Sequence, residues 1–327
     1  MTSMTGTVTA RLFKPQALLR LQALFTEPAL LLTSILMLLL IACPVAANTA
    51  AESATQSSTT KPASQLKLIV LAPDLVELLY SLGAGEQIIA ASEHADYPEA
   101  ARALPRVGNY AGLSLEKIIS LQPDLVLYWQ SGTPAADIER LQQLGLKLES
   151  FESKTLDDIA LHLLRLGELT GRQQQAAQLA GQFHAELQAL KTKYSQQQQL
   201  AVFYEIWDNP LSSIGPSAWP AQHLAICGAR NVLPDGPNPY PQVSAEQVLK
   251  ANPWLIIQPV SENEPRTLFN WQAFSSVKAV EYQQFAKPNS DLLHRASLRT
   301  LGGVRELCQL IEKSRQFYAQ VLPGAGR

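Results

Sequence analysis

Leu113–Leu127 reads LSLEKIISLQPDLVL, and Val243–Ile257 reads VSAEQVLKANPWLII. The phrases match at Ser114 and Ser244, Glu116 and Glu246, and Pro123 and Pro253, each pair 130 positions apart (244 − 114, 246 − 116, 253 − 123). Both run through the same grammar: a short apolar-periodic helix, a proline that breaks it, then an apolar run that suits a buried strand. Each serine suits an N-cap, and each glutamate suits the positive end of the helix dipole two residues on. A helix–Pro–strand unit repeated at such range predicts two α/β lobes of one plan. Two such lobes also present two equivalent surface acids, which can dock onto basic residues of a two-fold symmetric partner. Capping and docking both stand as readings of Glu116 and Glu246.

The alternation continues on either side. LKLIVLA (Leu66–Ala72) reads as a strand, and DLVELLYSLGAG follows as a helix with Leu75, Leu78, Leu79 and Leu82 on one face and Gly83 and Gly85 as its stop. QIIAAS (Gln87–Ser92), LVLYW (Leu125–Trp129) and KLESF (Lys147–Phe151) read as strands, with a helix over Ala135–Leu146. From Thr155 to about Tyr194 only helical periodicity occurs. Arg172–Tyr194 alone makes a rod of about 34 Å at ~1.5 Å per residue, long enough to cross between lobes. LAVFYEIW (Leu200–Trp207), a helix over Ala218–Gly228, LIIQPV (Leu255–Val260) and a helix from Leu298 to Val321 complete the chain. The predicted fold is α/β: two Rossmann-like lobes with mainly parallel sheets, joined by one long backbone helix. The expected boundaries are 66–154 for the first lobe, 155–195 for the helical segment and 196–327 for the second lobe.

Residues 1–47 read as an export signal, with a basic lead-in of Arg11, Lys14 and Arg20 before the apolar run Ala29–Ala42. That run is shorter than the ~20 residues that span a bilayer. Two exits compete. LIAC ending at Cys43 has the form of a lipobox, whose cysteine is lipidated, and VAA ending at Ala47 has the form of an ordinary cleavage site. Residues 48–65, rich in Ser, Thr and Ala, read as a flexible tether. The expected location is the periplasm, either free or lipid-anchored. Cys227 and Cys308 are then the mature cysteines, either paired in an oxidising compartment or two separate buried thiols.

The 327-residue chain is 46% hydrophobic and 17% charged, with a formal net charge of −2 and no long Lys/Arg run, so a nucleic-acid partner is not expected. No G-x-S-x-G elbow, phosphate loop, dinucleotide fingerprint or H-E-x-x-H occurs, so neither an enzyme nor a catalytic cofactor is expected. The five histidines, His94, His162, His184, His223 and His294, are scattered and predict no metal site.

SEHADYPEAA, GLSLEKIISLQPDLVLYW, LAICGARNVL, YPQVSAEQVL and DLLHRASLRTL with ELC, in this order, carry a resemblance. From about Leu66 to Leu322 the chain resembles the helical-backbone class (class III) of periplasmic substrate-binding proteins of ABC importers, and within it the cobalamin (vitamin B12) carriers. The resemblance implies a monomer that binds cobalamin between its lobes and delivers it to an inner-membrane ABC permease with its ATPase subunits. It implies a cleft lined by Tyr97, Tyr110, Trp129 and Tyr240, where Tyr110 and Tyr240 replace tryptophans of the class. It adds a ring near FYEIWDNP: Trp207, although strict alignment puts Ile206 there. Asp291 and Arg295 would hydrogen-bond the ligand, Cys227 would pair with Cys308, and Glu116 and Glu246 would anchor on permease arginines. Haem and ferric-siderophore carriers share the glutamate phrase and are the alternative. A corrin is a broad amide-fringed disc, which flat aromatic faces cover well. The competing reading of each aromatic is core packing, weakened at Tyr97, Tyr110 and Tyr240 by Pro- or Gly-punctuated loops. A single long helix between lobes predicts only modest closure on binding.

Overall fold

The computed structural model describes residues 62–194, 196–233, 236–261 and 265–322. The export signal, Cys43 and all but the end of the tether lie outside the described residues. The described chain builds two four-stranded parallel sheets of identical topology. The first has β1 (Leu68–Leu71), β2 (Ile88–Ala91), β3 (Leu125–Trp129) and β4 (Leu148–Phe151) in the order β2-β1-β3-β4. The second has β5 (Leu200–Tyr204), β6 (Ala229–Asn231), β7 (Leu255–Ile257) and β8 (Phe285–Ala286) in the order β6-β5-β7-β8. The helices are α1 (Pro73–Ser81), α2 (Leu115–Ser120), α3 (Ala135–Gln143), α4 (Asp157–Thr170), α5 (Gln173–Tyr194), α6 (Trp219–Ile226), α7 (Ala245–Ala251) and α8 (Thr300–Val321). Single-turn helices occupy Lys278–Glu281 and Ser290–Leu293.

The repeated phrase forms α2–β3 in one lobe and α7–β7 in the other, each leading into the third strand of its lobe and onto the same sheet position. The equivalence extends to backbone and packing. Gln122 and Asn252, also 130 apart, both take φ of +48° immediately before their prolines, a left-handed turn that ends the helix. Ile118 and Val248 are the fully buried residues of their helices. The caps differ. Ser244 accepts from the Gln247 backbone N–H, and Gln247 reciprocates to the Ser244 N–H, a complete capping box. Ser114 occupies the N-cap position without a side-chain hydrogen bond. Lys117 stands where Gln247 stands, so the reciprocal half of the box has no acceptor.

Side-chain alternation divides each sheet between two cores. Leu68 and Val70 of β1, and Val202 and Tyr204 of β5, face one continuous core that passes through α5. That helix supplies Ala176, Ala180, Phe183, Leu187, Leu190 and Tyr194, a stripe at steps of three and four. The opposite sheet faces carry separate outer cores. One gathers Ile69 and Val126 with Ile118, Ile138 and Leu141, and the other gathers Phe203 and Ile256 with Val248 and Trp271. Gly171, at φ +72°, turns α4 into α5. Gly167 then lets Ala176 approach closely, since a Cβ at 167 would collide with the alanine methyl. The lobes thus share one core through the long helix, as the crossing-helix expectation required.

Cys227, at the end of α6, and Cys308, in α8, form a disulfide, and both are fully buried. The bridge spans 81 residues, for which chain entropy gives a ceiling of about 4–5 kcal/mol. The strand expected over Leu200–Trp207 ends at Tyr204 instead. The Glu205 N–H still bonds the Ile257 carbonyl, but the Ile206 N–H turns to Ser212. Trp207–Asp208 then pairs with Leu211–Ser212 as a separate hairpin.

Candidate ligand-binding site

A cavity of about 390 Å³ lies between the lobes. Its walls come from the carboxyl ends of strands, where open α/β sheets bind ligands: Pro73, Asp74 and Leu75 after β1, Trp129 at the end of β3, Phe151 at the end of β4, and Ile206 just beyond β5. Tyr240, Trp219 and the His294–Ala296 turn close the other side. The surface is largely apolar and aromatic, with Asp74, Ser153, His294 and Arg295 as its polar points.

Charge in and around the cleft is arranged across the two lobes. Arg295 donates to Asp96 Oδ1 at 2.5 Å and to Glu77 Oε1 at 3.2 Å. Arg299 grips the same glutamate with two bonds, Nε to Oε2 at 2.9 Å and Nη2 to Oε1 at 2.5 Å. Glu77, on α1, is almost wholly buried, and the Arg299 guanidinium also lies 3.7 Å above the Tyr97 ring. Burial acts to raise the Asp96 carboxyl, but the hydrogen bond and charge from Arg295 override it and hold the acid below the usual range. Asp74 behaves oppositely. Burial, helped by nearby Glu77, pushes it up to about 6 against the pull of backbone N–H groups and Arg295. His294 is exposed on the cleft side, and desolvation there, helped by Arg266, pushes it down to about 4 against the pull of Asp291. Burial raises the Tyr204 phenol, so its hydroxyl stays protonated and shares a hydrogen bond of 3.0 Å with His294 Nε2.

Of the seven ligand-site residues expected from sequence, the cavity brings together Trp129, Tyr240 and Arg295. Tyr97, Tyr110, Trp207 and Asp291 are not in its lining. Asp291 instead accepts a hydrogen bond from Ser261 at 2.8 Å. Between the two candidates at the end of β5, Ile206 lines the cavity, while Trp207 projects from its hairpin, 59% exposed. Core packing is not the role of the chosen aromatics. Tyr97, Tyr110, Trp129, Trp207 and Tyr240 are all exposed, Tyr110 to 78%, and among the described residues only Phe285 joins them as a large exposed aromatic. Sequence reasoning missed Asp74, Glu77 and Trp219. Asp74 had a legible signal, since it follows the first strand directly, at the end where ligands bind.

Glu116 and Glu246 are both exposed, in helices whose burial runs in the same order. One turn further on, Ile119 and Leu249 are also exposed, again 130 residues apart. Each lobe therefore offers the same pairing of an acid and an apolar side chain. The Glu246 carboxyl sits below the usual range because the Ser244 hydroxyl bonds to it. Among the described residues no group of three or more His, Cys, Asp or Glu side chains is placed to hold a metal ion.

Residues 68–286 match the model of the family described as periplasmic binding protein. This chain belongs to the periplasmic binding protein family. A relative in that family, the vitamin B12-binding protein of Vibrio campbellii, is 36% identical over 251 residues, covering 76% of this chain and 90% of the relative. The crystal structure of the periplasmic vitamin B12 binding protein BtuF of Vibrio cholerae superposes with a TM-score of 0.71 at 34% identity, over 77% of this chain and 98% of that one. The periplasmic heme binding protein HutB of Vibrio cholerae has a TM-score of 0.66 at 18% identity, over 76% of this chain and 99% of that one. It shares the fold. The two lobes, the long α5 and the parallel sheets are thus those of a periplasmic binding protein, and a periplasmic location follows from the family.

Proposed function

We propose that this protein captures cobalamin in the cleft between its lobes and hands it, unchanged, to an inner-membrane ABC permease with its ATPase subunits. The observation that carries the reading is the set of five exposed aromatics, which a core does not need and a flat cargo does. At about 390 Å³ the cavity takes part of a corrinoid, so the remaining disc extends toward exposed rings outside it. Aromatic faces cover such a surface at little entropic cost. Arg295 and Asp291 supply orienting polar groups, the first at the cavity wall and the second nearby in sequence. The relatives named for vitamin B12 support the same cargo. The carrier acts as a monomer, with no catalytic cofactor and no reaction of its own.

Delivery rests on the outer helices. Glu116 and Glu246, each with an exposed apolar neighbour, suit basic sites on the two halves of a permease. The continuous core through α5 and the ion pairs between lobes favour modest closure. The export signal and the choice between a Cys43 lipid anchor and a free form belong to the same reading.

The cargo is tested by titrating the chain from Asn48 onward with cyanocobalamin, haemin and a ferric siderophore. One cyanocobalamin should bind per chain and be recovered chemically intact. Tight binding of either rival with no response to cyanocobalamin would overturn the assignment.

A further inference from the structure

Asp74 is the acidic side chain in the cavity wall, and the surrounding charges leave it unbalanced. Arg295 and Arg299 are matched by Glu77 and Asp96, two guanidiniums against two carboxylates within hydrogen-bond reach. That network sums to zero. Arg102, beside Asp96, is paired with Glu99, and Arg266 sits 3.8 Å from the buried Glu205 carboxylate. His294 is neutral, and Asp291 adds no positive charge. An ionised Asp74 therefore gives an otherwise apolar cleft a net negative wall.

We propose that Asp74 is a specificity-determining residue, whose carboxylate disfavours cargo fringed with carboxylates and accepts hydrogen bonds from cargo fringed with amides. This inference rests on the cobalamin reading and deepens it. Like charges repel more strongly in a desolvated cleft than in water, while an amide N–H donating to a carboxylate gains a charge-assisted bond. Discrimination of this kind comes from the repulsive element as much as from the attractive one. The same fold elsewhere belongs to a heme binding protein, and haem is a disc of related shape that carries carboxylates at its edge, so a charge filter separates what shape alone does not.

The filter has a pH signature. Glu77 on its own helix and Arg295 from the other lobe act on Asp74 directly; Asp96 and Arg299 are the partners of those two groups, and His294 shares the cavity wall. Asp96 is held below the usual range and His294 near 4, so neither changes charge between about pH 5 and 8. Asp74, pushed up to about 6, is ionised above that value and neutral below it. Discrimination is full at higher pH and fades as pH falls through about 6.

The probes are cyanocobalamin and its isomeric monocarboxylic acids, in each of which one fringe amide is hydrolysed to a carboxylate. The wild-type mature chain should bind at least one acid about tenfold or more weakly than cyanocobalamin at about pH 7.5, a penalty of about 1.4 kcal/mol, and lose much of that penalty at about pH 5. Asp74→Asn should weaken cyanocobalamin by about threefold, strengthen the disfavoured acid, and flatten the pH dependence. Asp74→Glu, which retains the charge, should restore the penalty. An equal penalty in wild type and Asp74→Asn, or no penalty for any acid in wild type, overturns the inference and leaves the carrier reading intact. A wild-type chain that fails to bind cyanocobalamin removes the carrier reading, and this inference with it.

Discussion

The outer faces of the two lobes repeat each other, whereas their inner faces do not. Outside, α2 and α7 place an exposed glutamate, an exposed apolar residue, a buried aliphatic and a left-handed turn at one constant spacing. Inside, the first lobe offers acids, Asp74, Glu77 and Asp96, and the second offers Arg295, Arg299 and His294. On the proposed function, the contrast separates two kinds of recognition. A partner with two-fold symmetry asks for duplicated surfaces, and a single asymmetric cargo asks for walls that complement each other.

The largest effect should come from breaking the inner complementarity. Glu77→Ala removes the carboxylate that both guanidiniums share and leaves two partly buried charges under-matched. Urea unfolding should show a loss of about 3–5 kcal/mol. A loss below about 1 kcal/mol would mean that the lobes are not coupled through this pair. The outer repetition can be sharpened at its one visible flaw. Ser244→Ala breaks a complete capping box and should cost about 1 kcal/mol, whereas Ser114→Ala, with no cap bond to lose, should stay within about 0.5 kcal/mol. Equal costs would mean that the caps are alike in solution.

This division also explains what the sequence disclosed. The outer pattern is local: a capped helix, a proline and a strand fit within fifteen residues, and periodicity exposes them. The backbone helix was legible for the same reason, whereas Trp129 and Tyr240, which line the cavity, were singled out only through the family resemblance. The inner network was not. Glu77 reads as one more helix acid in DLVELLYS, and its partner Arg299 lies 222 residues away, so nothing nearby in the chain announces its burial. Ile206 and Trp207 differ by one residue, and only the early end of β5 decides which of them faces the cavity.

Reversing both outer acids, Glu116→Arg with Glu246→Arg, and measuring cyanocobalamin binding and cyanocobalamin uptake on the same protein tests the division most directly. The account predicts wild-type binding affinity with uptake abolished. Binding lost together with uptake, or uptake left intact, would contradict it.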